Sequence, residues 1–122
     1  MKKKFFIIIF FVFGLIQNSY SYSSDPKQFI QEIVDEAKKI LINSNTKEFK
    51  TKKLSEMALK TVDIKGVAYY SLGNYRKSLN EDQMAEYLSL FEKYFLKSFT
   101  SRLTDYSDPK IDVIGVDVVN SK

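Results

Sequence analysis

The sequence contains no cysteine, no histidine and no tryptophan. Without cysteine there is no disulfide framework, no thiolate metal site and no Cys-linked lipid anchor. Without histidine and cysteine, the commonest general base and the commonest thiol nucleophile are both missing. The four glycines form no Gly-rich phosphate loop, and neither H-E-x-x-H nor G-x-S-x-G occurs. Two carboxylate pairs, Asp35/Glu36 and Glu81/Asp82, fall in polar helical stretches and read as solvated. These absences argue against an enzyme, and no metal or cofactor is expected.

Long apolar runs are also scarce. The one that stands out is FFIIIFFVFGLI, from Phe5 to Ile16, preceded by Lys2, Lys3 and Lys4. A bilayer core needs about 20 apolar residues in helix, so this run is short for an anchor. It has the length of a signal-peptide core. Ser19 and Ser21 flank Tyr20 in a small-x-small pattern. Residues 1–21 are therefore expected to be a secretory signal peptide, with Tyr22 as the mature N-terminus; a retained anchor is the alternative. Export of a cysteine-free chain suits the bacterial periplasm.

Removing the three leader lysines lowers the formal net charge from +4 to +1. A nearly neutral chain argues against nucleic acid as a partner. One basic cluster remains, Lys47, Lys50, Lys52 and Lys53 around Glu48. It reads as a solvated helix start, or more sharply as a surface that meets anionic lipid headgroups.

The remainder reads as one small domain, mostly helical. Asp25, Pro26 and Gln28 form a helix start with a capping-box pattern. Phe29, Ile30, Ile33, Val34, Ala37, Ile40 and Leu41 then make one apolar stripe, which predicts a helix over about 26–43. A second helix over about 47–60 carries Phe49, Leu54, Met57 and Ala58 on one side. Asp63 caps a third, over 63–72, with Ile64, Val67, Ala68 and Leu72 inward, and Gly73 ends it. Asn80 and Gln83 open the longest helix, expected over about 81–106. Its stripe is Met84, Leu88, Phe91, Phe95 and Phe99, widened by Tyr87, Leu90 and Tyr94. Most of these residues read as core, but the stripe is wide enough for a long apolar ligand to lie against.

After a turn at Ser107-Asp108-Pro109, the β-branched run Ile111, Val113, Val116, Val118 and Val119 predicts a strand over about 110–119, irregular at Gly115. Nothing upstream alternates with period two, and a lone strand with open edges is not stable. Further strands are expected beyond the sequence, so that it would be an incomplete copy of a larger domain. Pairing with a second chain is the weaker alternative.

From Val62 to Asp108 the chain resembles the MlaC family, also known as the toluene-tolerance family and associated with organic-solvent tolerance. The resemblance rests on Leu72-Gly73-Asn74-Tyr75, then Arg76 and Lys77, then a capped turn. It continues through Gln83, Tyr87, Phe91 and Phe95, with Tyr106 just before the strand. It implies an α+β fold, with N-terminal helices packing on a curved antiparallel sheet of which only the first strand is present. It implies a periplasmic phospholipid-binding protein that passes lipid between an outer-membrane lipoprotein complex and an inner-membrane ABC transporter with an MCE-domain protein, touching membranes transiently. Val67, Leu72, Tyr87, Phe91, Tyr94 and Phe95 are the expected lipid-lining residues. Three alternatives stay open: a hopanoid or other apolar-ligand carrier of the same family, a ligand-free helical interaction module, and a fragment without function of its own.

Overall fold

Among the described residues, four α-helices and one 3-10 turn follow local signals at their ends. A computed structural model of the chain describes residues 21–106 and 110–119. Residues 1–20, where the signal peptide is expected, residues 107–109, where a turn is expected, and the last three residues lie outside the described residues.

Helix α1 spans Pro26–Ile42. Asp25 caps it by accepting from the Gln28 backbone N–H at 2.8 Å, and Pro26 occupies the first turn. The capping-box pattern does not close here. The Gln28 amide instead donates to Glu32 Oε1 one turn ahead, at 3.1 Å. Helix α2 spans Lys47–Thr61, with Thr46 Oγ1 accepting from Phe49 N. Helix α3 spans Ile64–Leu72 and is capped by Asp63, which accepts from Gly66 N at 2.9 Å. A Cβ on Gly66 would lie 2.2 Å from the Asp63 carboxylate, so any larger residue there would push the capping side chain aside. Gly73, at φ +54°, ends α3 in a region L-residues rarely enter. The chain then makes a 3-10 turn over Gly73–Lys77. Helix α4 spans Glu81–Leu103. Here the box is complete: Asn80 accepts from Gln83 N at 2.9 Å, and Gln83 accepts from Asn80 N at 3.0 Å. It ends three residues short of Tyr106, the end the stripe suggested.

Helix α1 packs on α2, α2 on α4, and α3 on α4. The central core cluster is Ala37, Leu41, Leu54 and Met57, closed by Ile33, Ile40, Phe99 and Leu103. Ala58, Ile64 and Ala68 are buried beside it. Several residues of the expected apolar stripes are exposed, among them Ile30, Leu90 and Tyr94. Phe49 and Val67 are each 42% exposed. Both lie on the flank of a helix whose opposite side already supplies a contiguous buried set. With few helices to pack against, a wide apolar stripe cannot be covered across its whole width. Lys50 Nζ donates to Leu41 O at 2.7 Å, capping the C-terminus of α1 with a cation.

The described part is mostly helical, and it contains no strand. Residues 110–119 run without ladder pairing. A strand needs a neighbour to accept and donate its hydrogen bonds, and none is present among the described residues. Lys38 Nζ donates to Ile111 O at 3.0 Å, which fastens the segment beside α1. Val113 is half-buried, while Ile114 is 98% exposed.

Candidate functional site

A ladder of four aromatic rings on α4 forms the main apolar feature outside the core. One-turn spacing places Tyr87, Phe91, Phe95 and Phe99 above one another. Ring centroids are 5.9 Å apart from Tyr87 to Phe91, 6.4 Å from Phe91 to Phe95 and 5.9 Å from Phe95 to Phe99. The last two pairs are stacked, the first tilted. Phe99 joins the central core, so the ladder is anchored at its C-terminal end. At the other end, the Tyr87 hydroxyl donates to Ala68 O of α3 at 3.2 Å. That bond satisfies the phenol and ties α3 to α4. The middle rungs, Phe91 and Phe95, remain half-buried.

Tyr87, Phe91 and Phe95 thus come together in one continuous row. Tyr94 lies on the flank of α4 and is 70% exposed. Val67, also exposed, and half-buried Leu72 belong to α3, the helix that Tyr87 grips. The row offers no ionisable carboxylate or amine, and its single hydroxyl is engaged. Its chemistry is dispersion and the removal of apolar surface from water.

Two grooves flank the helices. The smaller, about 390 Å³, lies where the 3-10 turn leads into α4, and is walled by Tyr69, Leu79, Met84 and Leu88. Met84 and Leu88 were legible in the stripe of α4. Tyr69 and Leu79 come from α3 and a turn, and no periodic signal marks them. The larger, about 680 Å³, runs along α1 and carries Glu32, Asp35, Glu36, Lys39 and Lys60. Neither is lined by any of the six residues expected at a lipid site.

The larger groove holds the most perturbed side chain described. Tyr22 packs edge-on against Phe29, at 5.6 Å between centroids, and its hydroxyl donates to Glu36 Oε2. Ser23 N donates to Glu32 at 2.9 Å, so two glutamates hold the segment before α1. Burial, then the bond to Glu36 and the charges of Glu36 and Glu32, push the Tyr22 phenol from 10.0 up to about 12. The neutral phenol is the form the fold favours. Its stabilising contribution is complete below pH 10 and disappears as pH rises from about 10 to about 12. Phenolate absorbance followed against pH is expected to show one tyrosine titrating late, and Tyr22→Phe is expected to remove that late step.

A family model described as MlaC protein matches residues 27–122, from the second residue of α1 onward. The chain belongs to the MlaC family. MlaC proteins are a periplasmic, phospholipid-binding family that serves ABC transport systems, not an enzyme family. No curated protein and no solved structure matches the chain significantly. Among the described residues, no helix is long and apolar enough to cross a membrane.

Proposed function

We propose that this MlaC chain carries phospholipid through the periplasm, its acyl tails lying along the aromatic ladder of α4. The observation that supports the reading is the half-open row Tyr87–Phe91–Phe95; Tyr94 on the same helix and Val67 and Leu72 of α3 are proposed to extend it. A phospholipid does not cross water unaided, because each exposed CH₂ costs about 0.8 kcal/mol. A carrier must cover the tails and leave the headgroup wet. The ladder supplies rigid apolar contact at little side-chain entropy cost, since a ring has only two free torsions. The same reading gives the chain two exchange partners: an inner-membrane ABC complex with an MCE-domain protein, and an outer-membrane lipoprotein complex. It also requires export, with residues 1–21 as the signal that is removed.

The test is solvent extraction of protein recovered from the periplasmic fraction, followed by mass spectrometry. Phospholipid is expected in near-stoichiometric amount. A hopanoid in its place would keep the carrier and change the cargo. Protein free of any lipid would overturn the reading.

A further inference from the structure

The chain ahead of α1 doubles back along it. Ser23 N donates to Glu32 at 2.9 Å, and Tyr22, one residue earlier, reaches Glu36 one turn further into the helix. Phe29 holds the fold-back by packing edge-on against the Tyr22 ring. Ser21 and Tyr22 therefore line the larger groove together with Glu32, Asp35, Glu36 and Lys39 of α1 and Lys60 of α2. Three carboxylates against two lysines leave the groove with one negative charge in excess. Among the described residues the ion pairs are Lys47–Asp105 and Lys53–Glu56, so neither groove lysine reaches a groove carboxylate. Neutral donors hold these acids instead. Glu32 accepts from Ser23 N and the Gln28 amide, Asp35 from the Gln31 amide, and Glu36 from the Tyr22 hydroxyl.

We propose that this groove is the seat of the mature N-terminus, where Glu32 and Glu36 receive the α-ammonium group that removal of residues 1–21 creates at Tyr22. The inference rests on the export reading for that cleavage. A signal peptidase adds water across the Ser21–Tyr22 peptide bond. Ser21 leaves with the new carboxylate, and Tyr22 keeps the amine, which is protonated at pH 7. Consecutive residues are about 3.8 Å apart, so Tyr22 N lies within about 7 Å of Glu32 Oε2, and the freed end can turn toward it. Nearby carboxylates favour the charged form of an amine. In the precursor the same nitrogen is a neutral amide, and the excess charge of the groove stays unmatched. Cleavage thus adds a contact that the precursor lacks, and the strap Tyr22–Ser23 closes fully on α1 only in the exported chain.

Protein recovered from the periplasmic fraction is labelled at pH 7 with a limiting amount of an amine-acylating reagent, and its N-terminal peptide is quantified by mass spectrometry. That peptide is expected to begin at Tyr22. Its α-amine is expected to react about tenfold more slowly in the folded protein than in denaturant, because the protonated amine is unreactive. Glu32→Gln with Glu36→Gln keeps the hydrogen-bond acceptors and removes the charge. The double variant is expected to recover most of the denatured rate with helical content unchanged, and high salt is expected to act in the same direction. Near pH 10, where the amine is neutral in both states, the slowing is expected to vanish. Slowing that persists there, or that survives in the double variant, would mean steric cover and would overturn the proposal. Equal rates in folded and denatured protein beginning at Tyr22 would overturn it and leave export in place. A chain still beginning at Met1 would overturn both.

Discussion

Protein carrying Phe91→Asp is expected to retain its helices and to lose nearly all co-purified phospholipid. Phe91 is the middle of the half-open row, 5.9 Å from Tyr87 and 6.4 Å from Phe95. A tail lying along the row must cross it. A carboxyl group there must either stay hydrated, which holds the tail away, or be buried without a partner. The second costs at least about 3 kcal/mol, which is a hundredfold or more in affinity. Phe91 is half-buried, so part of any loss comes through the fold itself. Tyr94→Asp separates the two effects. Tyr94 is 70% exposed, so its replacement removes little packing within the protein, yet it adds charge beside the same row. Phe91→Leu keeps the apolar surface and is expected to keep most of the lipid. Lipid is measured by extraction and helicity by circular dichroism on the same sample. Undiminished lipid in folded variants at all six positions, Val67, Leu72, Tyr87, Phe91, Tyr94 and Phe95, would refute the assignment.

The helices were legible because their starts are written in single residues. Asp25, Asp63 and Asn80 are each followed three residues later by the N–H they accept, and Gly73 marks the one positive φ among the described residues. These are local interactions that a sequence shows directly. Facing is harder to read. The stripe of α4 spans more than half its circumference, and periodicity does not say which part meets α2, which meets α3 and which stays open. Thr100, 3% exposed, was invisible for another reason. It is polar, and it becomes buriable only because its hydroxyl donates back to Leu96 O at 2.8 Å within its own helix. Phe49 illustrates the converse. Its apolar character suggested core, yet its position opposite Leu54, Met57 and Ala58 places it in solvent. The six expected lipid residues divide in the same way. Tyr87, Phe91 and Phe95 share one row because one-turn spacing requires it, Tyr94 lies on the flank of the same helix, and Val67 and Leu72 depend on how α3 docks, to which the Tyr87 bond to Ala68 contributes and which no spacing reveals.

The segment 110–119 is expected to control solubility. Its β-branched residues have the composition of a strand, and its backbone forms no ladder. The energies explain why it does not settle against the helices. Fixing an extended backbone costs about 1–2 kcal/mol per residue. Burying a valine or isoleucine fully returns about 1.5–3 kcal/mol. Only Val113 is half-buried, whereas Ile114, Val118 and Val119 are almost fully exposed. One hydrogen bond from Lys38 to Ile111 does not offset that ordering cost. Unpaired N–H and C=O groups beside exposed β-branched side chains form a template for pairing with another extended chain. The chain is therefore expected to associate at micromolar concentration, with a helical far-ultraviolet signal and a broad thermal transition. Ile114→Lys with Val118→Lys places charge on the exposed side of the segment and leaves Ile111, Val113 and the Lys38 contact in place. Those changes are expected to shift the protein from large aggregates to monomer on size-exclusion chromatography, with its helical signal preserved. A monomeric unaltered chain with a sharp thermal transition would show that the segment is already satisfied, and the argument from exposed edges would fail.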